Sequence, residues 1–303
     1  MVDVIIVGGG PAGMNVALNL LRSGRSVLIL EKESFGGQMA LSPRIENIPG
    51  IKLISGLEYS DMIFEQITEA GADFELGEVS KIKKEEDNTF TVITSFGSYK
   101  AKAVVIATGC SHRQLGLPKE DKFIGKGISY CAVCDGAFYK GKEVSIIGDG
   151  NTAVQYALTL SNYCTKVHMY VLFDKLFADK VIVDRLLNND KIEVNYEMSV
   201  TELLGVDQLE GLRFHSMKDD EDHVIPTEAL FIAIGQIPHN EPFKDLVNLN
   251  ERGFIITDDK MQTREPGIFA IGDTRQKDVR QIITALGDAS VAAVSVEKYL
   301  RTL

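Results

Sequence analysis

The stretch Val4-Ile5-Ile6-Val7-Gly8-Gly9-Gly10-Pro11-Ala12-Gly13 is a short apolar run of parallel-strand character that enters a glycine-rich turn directly. Helical periodicity follows. Val16, Leu18, Leu20 and Leu21 are its apolar positions, Gly24 ends it, and Ser26-Val27-Leu28-Ile29-Leu30 forms the next strand, closing on Glu31. Strand, turn, helix, strand and acid in one short unit is the order of a dinucleotide-binding βαβ fold. Gly8 permits the tight turn and Gly10 lets a pyrophosphate approach the backbone. Pro11 and Ala12 open the helix whose amides would face the phosphates, and Gly13 lets that helix pack close to the sheet. Glu31, 23 residues beyond Gly8, would accept hydrogen bonds from a ribose diol.

The pattern recurs. Glu143-Val144-Ser145-Ile146-Ile147 leads into Gly148-Asp149-Gly150-Asn151-Thr152-Ala153, then a helix through Ala157, Leu158 and Leu160, then a strand from Lys166 to Val171. The offset that reaches Glu31 in the first unit reaches Val171 here, followed by Leu172 and Phe173. Neither an acid for a ribose hydroxyl nor a base for a 2′-phosphate stands at that point, and Asp174 and Lys175 reach it only if the loop curls back. The fold class read from these segments is α/β, with two Rossmann-like (three-layer ββα) nucleotide-binding domains, the second inserted into the first.

Just before the second turn stands Cys131-Ala132-Val133-Cys134-Asp135. Two intervening residues bring a resolving sulfur close to an attacking one, and a helix N-terminus lowers the pKa of one thiol. A dithiol beside two nucleotide folds points to a flavoprotein that makes or breaks disulfides. Half a zinc site is the competing reading. It is disfavoured because Cys110 and Cys164 are single and distant, and the five histidines show no ligand spacing. Cys110 and Cys164 read as small buried hydrophobes.

Composition bounds the rest. The 303 residues suffice for two domains, 45% are hydrophobic and mean hydropathy is near zero, as in a soluble protein. No apolar run approaches the length of a bilayer-spanning helix, and Met1 leads straight into a strand without a basic leader, so no membrane association and a cytoplasmic location are expected. Four cysteines, two paired by spacing, fit a reducing compartment where a disulfide is catalytic. A net charge of −11 argues against nucleic acid as a partner, and gives an acidic carrier protein no general attraction.

From end to end the chain resembles the low-molecular-weight thioredoxin reductases. Besides the first turn, the likeness rests on Gly36-Gly37-Gln38-Met39, Glu46-Asn47-Ile48-Pro49-Gly50, Ala107-Thr108-Gly109, Cys131 to Gly136, Gly148 to Ala153, Ile271-Gly272-Asp273 and Arg280-Gln281, in that family's order. The resemblance implies FAD in the first domain, held by the first turn and Glu31 with its neighbour Lys32, by Gly37, Gln38, Asn47 and Val79, and by Ala107, Thr108 and Gly109. Gly272 and Asp273 would hold the ribityl chain, and Arg280, Gln281 and Ile282 would aim a helix N-terminus at the pyrimidine end of the flavin, where charge accumulates on reduction. It further implies a homodimer, electron flow from flavin to Cys131–Cys134 and on to a thioredoxin-like protein disulfide, and Asp135 as general acid/base. Cys131, the more exposed sulfur, would attack the partner while Cys134 faces the flavin. A rotation of one domain against the other would present the dithiol to each in turn.

One departure bears on the electron donor. Typical members carry His-Arg-Arg-x-x-x-Arg after the second fold's strand to grip the NADPH phosphate, and this chain has Val171-Leu172-Phe173-Asp174-Lys175-Leu176-Phe177. Gln155 and Tyr156 replace a usual pair of acids. NADPH is therefore not the expected donor; reduced ferredoxin or a second flavin is. The alternatives are an NADH- or weakly NADPH-dependent thioredoxin reductase, and a flavin and dithiol redox sensor without turnover.

The layout expected is a discontinuous FAD domain, residues 1–112 and 245–303, around a pyridine-nucleotide-like domain, 113–244, that carries the dithiol, with hinges near Pro118 and Pro238. Thr89 to Ile93 and Ser98 to Ala101 read as a small antiparallel layer, with Ala103 to Ile106 re-entering the main sheet. In the middle domain, Leu212 to Met217 and His223 to Pro226 flank an acidic turn, Lys218 to Asp222, read as a solvated hairpin tip, and Ala229 to Gly235 echoes the first domain's strand.

Overall fold

The computed structural model describes residues 1–42 and 45–303. The chain forms two compact units, Met1–Ser111 with Ile237–Leu303, and His112–Gln236.

In the first unit the opening run becomes the strand Val2–Val7, flanked in parallel by Val27–Glu31 and Ser98–Ile106. The sheet runs Asp73–Leu76, Val27–Glu31, Val2–Val7, Ser98–Ile106, Phe90–Thr94, Val79–Lys84, and Ile268–Ala270 also pairs in parallel with Ser98–Ile106. Successive side chains of a strand point to opposite faces, and both faces here are covered, so the central strands are apolar throughout. Val4, Ile6, Ile29 and Val105 pack against the helices Pro11–Arg22 and Ile282–Leu300, while Ile5, Val7, Val104 and Ile106 pack on the other face against Phe243, Val247 and Ile255.

Three sequence expectations change here. Ser98–Ile106 is one nine-residue strand, so the antiparallel pair with Phe90–Thr94 extends the main sheet instead of forming a layer of its own. The return to the first unit also begins at Ile237, not at 245. Asn240 is buried and its amide donates to the carbonyls of Gly253 and Thr274, and Phe243 fills the first unit's second core, which binds residues 237–244 to that unit. The first crossing falls at Ser111/His112, which places Pro118 inside the second unit and not at a hinge.

The second unit repeats the plan. Its parallel sheet runs Ile192–Asn195, Lys166–Tyr170, Glu143–Ile147, Leu230–Ile232, Ile128–Ser129. The helix Asn151–Leu160 covers one face through Ala153, Val154, Ala157 and Leu160. The other face meets the antiparallel sheet Met198–Leu204, Gly211–Ser216, Glu221–Pro226, where Phe214 stacks on Tyr170 at 4.2 Å. The acidic turn at 218–222 is exposed and carries His223–Asp219 and His215–Asp220 pairs, each at 3.3 Å. Among the described residues no helix is long and apolar enough to cross a membrane.

Candidate functional site

The first glycine turn has the shape its sequence requires. Gly8 sits at φ +108°, and a Cβ there would lie 2.4 Å from the Ala107 carbonyl oxygen, so the turn rests directly on Ala107-Thr108-Gly109. A Cβ on Gly13 would lie 1.9 Å from the Gly8 carbonyl oxygen, while one on Gly10 would meet nothing within 4 Å. The turn is therefore closed beneath Gly8 and Gly13 and open above Gly10, where Pro11 starts the helix. Gly37, at φ +53°, backs onto Gly10: a Cβ there would lie 3.5 Å from the Gly10 Cα.

Glu31 is 8% exposed and does more than wait for a ribose. Its Oε2 accepts the Gly9 N–H at 2.6 Å and its Oε1 accepts the Glu33 N–H at 3.0 Å, which clamps the turn to the strand end. Beside it the Phe35 ring lies against Gly9 and clusters with Phe64 and Phe74, at 4.6 and 5.7 Å between centroids. Sequence reasoning missed this trio, because the three phenylalanines are scattered and share no motif. Lys32 is exposed and pairs with Glu33; Gln38 and Asn47 are exposed; Val79 buries its side chain in the sheet opposite Thr94.

The C-terminal part of the site lies on the loop Gly272–Thr274 and the helix Ile282–Leu300. Thr108 and Thr274 share a hydroxyl hydrogen bond of 2.9 Å, which ties this loop to the Ala107-Thr108-Gly109 turn. The Gly272 N–H donates to Asp288 Oδ2 at 3.0 Å, and Asp288 also meets Lys277 Nζ at 3.0 Å and Arg275 Nη1 at 3.3 Å. Arg280 is no loose surface charge: its guanidinium stacks 4.1 Å above the Phe254 ring and reaches the carbonyls of Asp273 and Arg275. Gln281 caps the helix in a reciprocal box with Thr284, and Ile282 begins it, packed on the first core.

Asp273 supplies the test of whether a flavin dinucleotide fits. Its Oδ1 is buried and is the sole such side-chain atom, among the described residues, with no hydrogen-bond partner; Lys277 Nζ is 3.9 Å away. Burial pushes its carboxyl up from the ordinary aspartate range, against the pull of Lys277 and Arg280. A buried acceptor without a donor is costly, and a ligand hydroxyl resolves it. The open face above Gly10 and this unmet acceptor, both in the first unit, fit the pyrophosphate and ribityl parts of FAD.

The dithiol lies in the second unit. Cys131 and Cys134 form a disulfide with Cα atoms 5.3 Å apart. Cys131 occupies the N-cap of the short helix Ala132–Asp135, and its Sγ accepts the Cys134 N–H at 3.1 Å. Cys131 is half-buried while Cys134 is exposed, the reverse of the exposure expected from sequence. Asp135 is half-buried; burial pushes its carboxyl up, and a hydrogen bond from Ser129 opposes this. Burial pushes the Cys110 thiol up to about 12 and raises that of Cys164, so neither offers a thiolate. No cluster of metal-ligating side chains occurs among the described residues.

The second glycine turn is closed like the first: a Cβ on Gly148 would lie 2.5 Å from the Ala233 carbonyl oxygen. The stretch 171–177 does curl back to it. Phe177 N–H donates to the Asp149 carbonyl at 2.8 Å, Phe177 bridges Gly150, and Val171 is buried in the core. Leu172, Phe173 and Phe177 remain 46%, 45% and 55% exposed, and Lys175 Nζ lies 5.2 Å from the Phe177 ring centre. An apolar rim with one cation thus borders the turn.

Residues 2–289 match the profile of the pyridine nucleotide-disulphide oxidoreductases. The chain is similar to the thioredoxin reductase of Bacillus subtilis, 40% identical over 304 residues and covering 99% of this chain and 95% of that protein. It is also 36% identical over 299 residues to a 34.2 kDa protein in the rubredoxin operon of Clostridium pasteurianum, with 98% and 97% covered. Its structure resembles that of thioredoxin reductase from Streptococcus pyogenes, with a TM-score of 0.95, 40% identity, and 100% and 99% of the two chains covered. The disulfide, the two nucleotide turns and these matches along the whole chain lead to one conclusion: the protein belongs to the pyridine nucleotide-disulphide oxidoreductases, as an FAD-dependent disulfide oxidoreductase of the low-molecular-weight thioredoxin reductase family.

Proposed function

We propose that the protein is a thioredoxin reductase that draws electrons from a nicotinamide dinucleotide at the second turn and delivers them through Cys131–Cys134 to the disulfide of a thioredoxin-like protein. The observation that carries this reading is the disulfide itself, set at a helix start beside Asp135 in a chain similar throughout to thioredoxin reductases. Bound in the first unit by the Gly8–Gly13 turn and Asp273, FAD would supply the electron pair that opens the disulfide.

Once it is open, the Cys134 N–H that points at Cys131 Sγ favours the Cys131 thiolate, although Cys134 is the more exposed residue. That thiolate attacks one sulfur of the partner disulfide; a mixed disulfide forms, the partner's S–S bond breaks, and the departing sulfur takes a proton from Asp135. Cys134 then gives its proton to the Asp135 carboxylate and attacks Cys131 Sγ, which restores the internal disulfide and releases the partner's second sulfur as a thiolate that solvent protonates. Elevation of the Asp135 carboxyl by burial suits a group that must hold a proton until the partner arrives. Action on a cytoplasmic thioredoxin, as a homodimer, is part of the same proposal.

The named thioredoxin reductases among the relatives give no support to the expectation of a donor other than NADPH. A second reading keeps that expectation, with reduced ferredoxin or a second flavin as donor. It is favoured by the apolar exposed Leu172, Phe173 and Phe177 at the second turn, and by the relative encoded in a rubredoxin operon. An anaerobic titration of the purified flavoprotein, followed by visible absorbance, separates the readings. Bleaching by NADPH or NADH supports the nucleotide donor; bleaching by reduced ferredoxin alone overturns it in favour of a carrier. A Cys131→Ser protein that still reduced a protein disulfide at the native rate would remove the dithiol mechanism altogether.

A further inference from the structure

Ser129 ends the edge strand Ile128–Ser129 of the second unit's sheet and is 6% exposed. Its hydroxyl makes three contacts, all to the dithiol loop. Oγ accepts the Cys131 N–H at 3.0 Å, lies 2.5 Å from Asp135 Oδ2, and lies 3.4 Å from the Cys131 carbonyl oxygen. A hydroxyl has one proton to give. With Asp135 ionised, that proton goes to the carboxylate, the closer and charged acceptor. With Asp135 protonated, the carboxylic O–H donates to Oγ and the hydroxyl proton turns to the Cys131 carbonyl. Ser129 thus has a partner in both states while its bond to the Cys131 N–H stays in place.

We infer that Ser129 is a positioning residue for disulfide exchange, a two-way hydroxyl that holds the Asp135 carboxyl in one orientation against the Cys131 backbone whether or not Asp135 carries its proton. The inference rests on the reading of Asp135 as the acid that protonates the departing sulfur. The other titratable groups facing Asp135 are Tyr139, on the turn after the dithiol, and Tyr156, on the helix Asn151–Leu160; burial and the Asp135 charge raise both phenols, which stay protonated over the working pH range. Among the described residues neither is hydrogen-bonded to Asp135, and Ser129 supplies the donor that can follow its change of state.

The test uses flavin-loaded full-length protein carrying Ser129→Ala, Ser129→Thr or Asp135→Asn. Thioredoxin disulfide reduction is measured from pH 5 to about 10, and the Asp135 carboxyl is titrated directly by carbon NMR with labelled aspartate. Losing a donor to the ionised carboxylate raises the Asp135 pKa. Ser129→Ala should therefore move both the carboxyl titration and the basic limb of the rate profile to higher pH. It should also lower kcat about tenfold, part of the 10²–10⁴ that proton transfer contributes, with little change in KM. Ser129→Thr, which keeps the hydroxyl, should restore both. If Ser129→Ala titrates and turns over as the native protein does while Asp135→Asn is impaired, the role of Ser129 is wrong. A native rate in Asp135→Asn would instead remove the acid role on which the inference rests. Should Ser129→Ala not fold, Ser129→Cys, which keeps a weak donor of similar size, replaces it with the same two readouts.

Discussion

Changing Leu172 and Phe173 together to arginine tests whether the stretch after the second fold's strand faces the adenosine end of a nicotinamide dinucleotide. Both side chains are nearly half exposed, at 46% and 45%, so the change disturbs no core; Val171, wholly buried, is left alone. The native edge contact of Phe173 with Phe177, at 5.2 Å between ring centres, is lost. Its loss costs about 0.5–1.5 kcal/mol of local stability. A hydrogen bond between charged groups is worth about 1.5–3 kcal/mol when shielded, and solvent at a half-exposed rim cuts this to about 1 kcal/mol each. Two such contacts with a 2′-phosphate amount to about 2 kcal/mol, or about 30-fold in affinity. Dissociation constants for NADPH and NADH, measured by fluorescence titration on native and double-variant protein, should show NADPH tightening by that factor and NADH unchanged. Equal tightening of both nucleotides would mean that the arginines act as a general positive field. No change in either would mean that this rim does not border the ribose, and the reasoning from the loop's position against Gly150 would fall.

Three further outcomes follow from single side chains. Gly13→Ala puts a methyl 1.9 Å from the Gly8 carbonyl oxygen, a backbone atom that cannot yield cheaply; about 1–3 kcal/mol of stability should be lost, along with flavin retention, and a thermal melt matching native with and without added FAD would contradict this close packing. Asp273→Ala removes the carboxylate whose Oδ1 is buried without a hydrogen bond, so flavin should dissociate about tenfold or more faster on gel filtration, whereas undiminished retention would show that Asp273 does not meet the ribityl hydroxyls. His112 is half-buried against Tyr130, with ring centres 4.8 Å apart, and burial lowers its pKa from 6.5 to about 4. Because the folded value is depressed, its stabilising effect is present above 6.5 and is lost as pH falls through about 4. The urea midpoint of His112→Phe, which keeps the stack, should decline less than native across that window, and parallel declines would assign the acid sensitivity elsewhere.

Local patterns made much of this protein legible before any coordinates. A strand with both faces buried must be apolar throughout, a turn against a carbonyl must be glycine, and two sulfurs that resolve each other must be close in sequence. Val4–Val7, Gly8, Gly13 and the Cys131–Cys134 pair were readable for those reasons. Segment boundaries were less readable, because they depend on what a residue packs against. Ser98–Ile106 continues unbroken since its two ends pair with different strands, and residues 237–244 join the first unit because Asn240 and Phe243 find their partners there.

Residue order alone carries the chemistry on offer: two nucleotide turns, one dithiol with an adjacent acid, and a Val171–Phe177 stretch without arginines after the second fold's strand. Tertiary structure alone decided how those groups are used. It left Asp273 Oδ1 buried without a hydrogen bond, turned Glu31 back onto the Gly9 amide, left Cys131 half-buried and Cys134 exposed, and set Ser129 between Cys131 and Asp135. The reason is physical. Motifs encode backbone geometry over a few residues, whereas exposure, protonation and hydrogen-bond partnership depend on which distant side chains the packed fold brings within 3 Å.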